Sequence, residues 1–293
     1  MRNTTEQNIT NLATERYGKV PDPRLRQVVT SLVKHLHGFV REIEPTEGEW
    51  FAGIQFLTAT GKMCDDKRQE FILMSDVMGV SILVDAINHR LPDAATPSTV
   101  MGPFHIHDSP DFESGANMAI GAPGVPLVIA GTVRSLDGQP IPNAMVDVWQ
   151  PDGEGVYEAQ KPGLEGSYLR GVYHTDKDGR YVIRTVAPIG YTIPLDGPVG
   201  DLVTRMAISP YRPAHVHFDV SADGFASVIT HIFRNGDKYL DTDVVFAVKD
   251  RLIVDFVEQK PGTAANGEQM TTPYLTATFD FVLAPARVPA MSA

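Results

Sequence analysis

His215 and His217, two residues apart in RPAHVHFDV (residues 212–220), stand in a strand-like run with Val216, Phe218 and Val220. On a β-strand, positions i and i+2 face the same side, so the two imidazoles project together as half of a metal site. Upstream, Tyr157 in VWQPDGEGVYEAQ and Tyr191 in APIGYTIPLDGP each sit among turn residues just past an expected strand. Joined to the histidines they would give four donors, two of them hard oxygens. Taken singly, each tyrosine reads as a packing residue whose hydroxyl finds a polar partner. Two further HxH pairs compete. His35/His37 falls in a helical stretch, where positions two apart diverge by about 200° and cannot easily share a metal. His105/His107, in GPFHIHDSPD, lies in a loop beside two aspartates, which leaves metal binding there open. Arg212 either pairs with a carboxylate or offers a fixed cation to an anionic substrate. No glycine-rich phosphate loop follows a strand, and neither a serine elbow nor a cysteine nucleophile is evident. From residues alone the reading is a metal-dependent enzyme on a β-sandwich. A zinc hydrolase built on His215 and His217, and a non-enzymatic sandwich binding module, stay open.

The elements that must position these residues divide the chain in two. The 293 residues, 43% apolar and 21% charged, can bury a sizeable core. A formal net charge of −11 with no basic run argues against a nucleic-acid binder and for a small-molecule enzyme. The lone cysteine, Cys64, excludes an internal disulfide or a thiolate-built cluster. The polar opening MRNTTEQNITNLATER and the lack of a long apolar run lead us to expect a cytoplasmic protein with no membrane span. Val28, Leu32, Leu36 and Val40, spaced by four, build one apolar stripe. Helices are predicted over about 24–43, 47–63 and 66–89, broken at Pro45 and Leu91-Pro92. From Thr96, short runs separated by Pro and Gly take over: PLVIAGTVRS, AMVDVWQ, SYLRGVYHT, GRYVIRTVAP, HVHFDVSA, SVITHIFR and LTATFDFVLAP. Such a texture predicts an all-β sandwich, with hairpin loops at Asp137-Gly138 and Asp178-Gly179. The expected fold is therefore α+β, a predominantly β-sandwich catalytic domain (96–293) entered through an irregular connector (96–125). A helical region (1–95) precedes it, too rich in apolar positions such as Ile54, Leu57, Val80 and Leu83 to stand alone. It is expected to pack on its own β-domain and on a partner subunit.

Across nearly its whole length the chain resembles the intradiol ring-cleaving dioxygenases. The resemblance is carried by the helical first third, GPF (102–104), VDVWQPDGEGVY, GRYVIRTVAPIGYTIPLDGP and RPAHVHF. It implies a non-heme Fe(III) centre with Tyr157, Tyr191, His215 and His217 as ligands and Arg212 beside the bound catecholate. Phenolates suit ferric iron, whereas an Fe(II) oxygenase more typically shows two His and one carboxylate. Tyr191 is expected to take one of the diol's protons and leave the metal. Where the family pattern often has Gln, this chain has His231 in SVITHIFR. LMSDVMG, TVMGPF and GYTIPLDGP most resemble the members that cleave hydroxyquinol (benzene-1,2,4-triol) with dioxygen to 3-hydroxy-cis,cis-muconate and maleylacetate. Those cleaving chlorocatechol or catechol are the alternatives. On that resemblance Leu73, Asp76, Val100, Met101, Gly102, Pro103, Phe104, Ile193 and Pro194 line the substrate pocket, with His231 near it. Asp76 would bond the extra hydroxyl, and Met101 stands where a bulky aromatic is expected. A homodimer through the helical region, with lipid at its interface, is also implied.

Overall fold

The computed structural model describes residues 3–65, 68–161, 164 and 167–286. By internal contacts the chain forms two compact units, residues 1–59 and 60–293. In the first, α1 (Ile9–Tyr17) and α2 (Pro23–Ile43) pair, and most of α3 (Glu47–Lys62) follows. Helix α2 starts where Asp22 accepts a 2.7 Å hydrogen bond from the Leu25 amide and Pro23 supplies a preset first-turn φ; it stops at Glu44, left-handed before Pro45. Thr46 and Glu49 form a reciprocal capping box at the start of α3. Thr10 Oγ1 lies 3.0 Å from His37 Nδ1, so His37 serves helix packing. Helix α1 was not predicted: ITNLATERY carries too few apolar residues for a clear stripe, and none of its residues is buried.

In the second unit the single helix expected over 66–89 is instead two, α4 (Glu70–Val77) and α5 (Val80–Asn88). The break falls at Gly79, whose φ of +69° is left-handed and cannot continue a helix. The expected start at Asp66 lies outside the described residues. None of the described helices is long and apolar enough to cross a membrane.

Each of the seven runs read as strands contains one, and the last contains two. They are β1 (Pro126–Ser135), β2 (Met145–Trp149), β3 (Arg170–His174) and β4 (Arg180–Val186), then β5 (Tyr191–Thr192) and β6 (Tyr211–Arg212). After these come β7 (His215–Ser221), β8 (Val228–Arg234), β9 (Ile253–Val254), β10 (Val257–Gln259), β11 (Gly262–Thr263) and β12 (Gln269–Met270), and finally β13 (Tyr274–Thr278) and β14 (Phe281–Leu283). One five-stranded sheet runs β10-β13-β1-β14 with β4 on the other edge of β1; the second runs β3-β2-β7-β8-β9. Between them lies one core: Leu127, Ile129 and Val133 of β1, Ile183 of β4 and Phe281 of β14 meet Val146, Val148, Val216, Phe218, Val220 and Ile232 from the second sheet. Gly131 sits where β13 gives way to β14, and a Cβ there would lie 1.7 Å from the Phe279 carbonyl oxygen, so no other residue fits. The Tyr181 hydroxyl donates 2.7 Å to that carbonyl.

Neither Asp-Gly turn joins two strands of one sheet: β1 and β2 lie in different sheets, and Asp137-Gly138 closes only a local bridge of Arg134 to Pro140. Asp178-Gly179 does not close a hairpin within a sheet, because β3 and β4 belong to different sheets; it carries the chain across the sandwich. Helix α6 (Pro198–Arg205), also unforeseen, opens with Pro198 in its first turn, and the buried Glu70 carboxylate accepts from the Val199 amide at 3.1 Å. The connector 96–125 is irregular as expected. It is stitched to the sheets by Thr99 N–H to Ile229 O, Thr230 Oγ1 to Pro97 O and the Tyr173 hydroxyl to Ala116 O.

Candidate metal centre and substrate pocket

Pleating decides what the second sheet offers on each side. With Val216, Phe218 and Val220 of β7 committed to the core, His215, His217 and Asp219 must face out. Register then places Trp149 of β2 and His231 of β8 on either side of His217. Connectors and loops cover this outer face, so His215, His217 and His231 are all at most 1% exposed.

Tyr157 comes from the loop after β2. Asp152 shapes that loop, its Oδ1 accepting from the Glu154 and Val156 amides and its Oδ2 from the Tyr168 hydroxyl and Lys161. Burial works against the Asp152 charge, yet Lys161 and these bonds outweigh it and hold the carboxyl below the usual range. Tyr191 comes from the β5-β6 ribbon, in register with Arg212. The Tyr157 Oη lies 3.3 Å from His215 Nε2 and 3.0 Å from His217 Nε2, and those two nitrogens are 3.1 Å apart. Tyr191 Oη donates to Tyr157 Oη at 3.1 Å. Metal bonds of about 2.0–2.2 Å place neighbouring donors about 2.9–3.4 Å apart, so this triangle fits a single ion. The tautomer fits as well: His215 Nδ1–H donates to Pro213 O at 2.7 Å, which leaves the Nε2 lone pair as an acceptor, met here by Arg212 Nη1 at 3.1 Å. Burial pushes both phenols up, Tyr157 well above its ordinary value, and pushes all three histidines well below theirs. A bound cation reverses this logic for the phenols by favouring their anions.

Among the described residues one group of three His, Cys, Asp or Glu side chains brings ligand atoms within 4.8 Å of one another: His215, His217 and His231. His105 and His107 are not part of it. His105 Nε2 is 3.1 Å from Asp147 Oδ2 and its ring stands edge-on to Trp149, which stacks on His217.

Beside the donors opens a pocket lined by Leu73, Asp76, Val100, Gly102, Pro103, Phe104, Tyr191, Ile193, Pro194, Arg212, His217 and Val245. An outer chamber of about 420 Å³ shares Leu73, Pro103, Phe104 and Pro194 with it. Phe104 stacks on Tyr157 at 4.4 Å. Met101 lies against the Trp149, Tyr157 and Tyr191 cluster. Gly102 has a φ of +76°, and a Cβ on it would lie 3.3 Å from His217 Cε1. Asp76 is buried, which raises its carboxyl pKa, while Ser81 and Arg212 pull the other way.

Three contributors went unnoticed in the sequence. Asp243 Oδ1 accepts from Arg212 Nε at 3.2 Å, and its Oδ2 from the Ala247 amide at 3.0 Å. Burial opposes the Arg212 charge, but Asp243 and the two tyrosines hold its pKa above the usual value. Thr99 Oγ1 meets His231 Nδ1, and Val245 lines the pocket. Thr99 lies in TVMGPF, a segment that carries the resemblance; Asp243 and Val245 sit in a loop with no periodic signal.

Comparison with known proteins agrees with this geometry. The "Dioxygenase" family model matches residues 100–285, and the "Catechol dioxygenase N terminus" model matches residues 22–96. The 6-chlorohydroxyquinol 1,2-dioxygenase of Cupriavidus pinatubonensis is 46% identical over 97% of this chain and 99% of its own length. The hydroxyquinol 1,2-dioxygenase of a Rhizobium species is 49% identical over 80% of each. The solved structure of hydroxyquinol 1,2-dioxygenase from Pseudomonas putida superposes with a TM-score of 0.90 at 46% identity, covering 96% of this chain and 99% of that one. Identity at this level over nearly the full length, joined to a family model that spans the sandwich, places the chain among the intradiol ring-cleaving dioxygenases, enzymes that open aromatic diols and triols with dioxygen and use iron to do so.

Proposed function

We propose that the protein cleaves hydroxyquinol between its adjacent hydroxyl-bearing carbons, giving 3-hydroxy-cis,cis-muconate and its tautomer maleylacetate. Fe(III) would be held by Tyr157, Tyr191, His215 and His217. The observation that carries this reading is the donor triangle of Tyr157, His215 and His217 with Tyr191 hydrogen-bonded to it. Ferric iron, when bound, is matched in charge by phenolates and draws electron density from a chelated diol, which makes the ring the partner for dioxygen.

The side chains do the rest. Tyr191, whose Oη lies 3.1 Å from Tyr157 Oη, would be a phenolate beside a bound cation and in that form would take a proton from the incoming diol. Arg212, fixed by Asp243, presents a guanidinium whose Nη2 has no protein partner to the charge that develops on the substrate. Asp76 receives the third hydroxyl, which catechol lacks; a pocket built to hydrogen-bond a hydroxyl discriminates against the analogue without it. Leu73, Val100, Phe104, Ile193 and Pro194 form the walls that orient the ring and exclude water.

A visible spectrum of the iron-loaded protein, with hydroxyquinol and then catechol added without oxygen, tests both halves. The expected result is a broad tyrosinate-to-iron band that moves to longer wavelength more readily with the triol. A protein that stays colourless after loading with iron refutes the metal reading, and preference for catechol or a chlorocatechol refutes the substrate.

In the same reading residues 1–95 form a dimerisation region and 96–293 the catalytic domain. The stripe of α2, Leu25, Val28, Leu32, Leu36, Phe39, Val40 and Ile43, is exposed in the single chain, more apolar surface than a monomer leaves uncovered. We assign it to a homodimer, with lipid as a second occupant of the apolar helices. Light scattering at micromolar concentration checks the first and mass spectrometry of an organic extract the second.

A further inference from the structure

We propose that His231 is the hydrogen-bond donor that receives a small oxygen anion, hydroxide or a deprotonated diol oxygen, at the centre described above, with Thr99 as the positioning residue that holds its ring. This rests on the ferric reading of that centre.

His231 lies on β8 directly across from His217, with its side chain on the same outer face, and is fully buried. One of its nitrogens lies within 4.8 Å of ligand nitrogens on His215 and His217, and its ring centroid is 4.0 Å from that of His217. Its two nitrogens are treated differently. Nδ1 is occupied by Thr99 Oγ1, whereas Nε2 is buried with no hydrogen-bond partner. A buried polar atom of this kind costs its desolvation unless something binds it.

Thr99 holds the imidazole in place. Its amide is tied to Ile229 O, next along β8 but one from His231, so its hydroxyl is set beside the imidazole by the backbone. A hydroxyl can donate or accept. Donation to Nδ1 leaves Nε2 carrying the hydrogen, which suits a site already rich in lone pairs from Tyr157, His215 and His217. The opposite choice would aim one more lone pair at them. The arrangement also separates His231 from the donor triangle: Tyr157 Oη, His215 Nε2 and His217 Nε2 lie within 3.0–3.3 Å of one another, while His231 Nε2 makes a hydrogen bond to none of them. A donor just outside the donor triangle is placed to meet what enters it.

Fluoride, a hard anion that accepts hydrogen bonds, is the probe. It is titrated into the ferric forms of the wild type, His231→Leu, His231→Gln and Thr99→Val, following the visible band and measuring iron content. Loss of a donor to an anion predicts about tenfold or greater weakening of fluoride binding in His231→Leu at unchanged iron content. His231→Gln, which keeps an N–H donor, should stay within about threefold of wild type, and Thr99→Val should fall between them. A coloured His231→Leu protein that binds fluoride as the wild type does sinks the inference alone. Loss of iron and colour from both His231 variants also overturns it, by making the residue a ligand. A colourless iron-loaded wild type sinks the ferric reading and this inference with it.

Discussion

The two faces of the β2-β7-β8 sheet are built from alternate residues of the same strands and could hardly differ more. Inward, Val146, Val148, Val216, Phe218, Val220, Val228 and Ile232 form an apolar layer at most 2% exposed. Outward, Asp147, Trp149, His215, His217, Asp219 and His231 form a polar layer that is also largely buried. Seven buried side-chain polar atoms among the described residues have no hydrogen-bond partner, and six of them belong to this outer layer or to Arg212 at its entrance. A buried polar atom without a protein partner calls for a water, an ion or a ligand to meet it. One face therefore holds the sandwich together, and the other carries the buried polar groups, the three clustered histidines among them.

If the faces are separable in this way, substitutions on them should separate stability from chemistry. His217→Ala removes one corner of the donor triangle. Activity should fall by more than the roughly 10–100-fold typical of losing a residue behind a ligand, with iron content and colour lost while far-UV circular dichroism is kept. Its strand neighbour Phe218→Ala should do the converse. A fully buried phenylalanine costs about 3–5 kcal/mol on truncation, seen as a lowered denaturation midpoint, while the protein that remains folded stays coloured. Unfolding or discoloration shared equally by the two would break the comparison.

Asp243→Asn sharpens it at the boundary. The Asp243–Arg212 pair is buried on both sides, and removing one partner of such a pair destabilises by about 3 kcal/mol or more; kcat should also fall with the visible band unmoved. The smallest effect is expected at Asp76. Its carboxyl pKa is raised by burial, so folding gains from the protonated form, and that stability, complete below the unfolded value of about 3.9, is lost as pH rises through the folded one. Asp76→Asn should raise the melting temperature of the iron-free protein at neutral pH, with the gain vanishing on acidification. The same variant should narrow the preference for hydroxyquinol over catechol.

The separation of faces also explains what could be read from the amino-acid order. Strands β1 to β4, β7, β8, β13 and β14 were legible as short apolar runs set between Pro and Gly turns, and HVHFDV shows both faces at once. Helix α2 was legible from its stripe. Helix α1 was not, lacking one, and the division of α4 from α5 rests on the backbone of a single glycine that a periodic pattern runs straight through. The sheet-crossing turn at Asp178-Gly179 has the same local chemistry as a hairpin; only the pairing of distant strands distinguishes them. In the site, His215 and His217 followed from strand geometry, whereas Tyr157 and Tyr191 needed the family resemblance. They arrive from a loop and a two-residue strand, where spacing carries no direction. Asp243 and Thr99 had no local signature because their partners lie 31 and 132 residues away.

Gly102 sets a limit on how this pocket can change. Its left-handed backbone disfavours any side chain, and even a methyl group would press on the His217 ring, so the position is closed on two independent grounds. Variation that retunes the enzyme toward other ring substituents must therefore pass around it, through Val100, Met101 and Phe104 on either side. Substitutions there change the wall of the pocket while the backbone against the His217 ring stays bare.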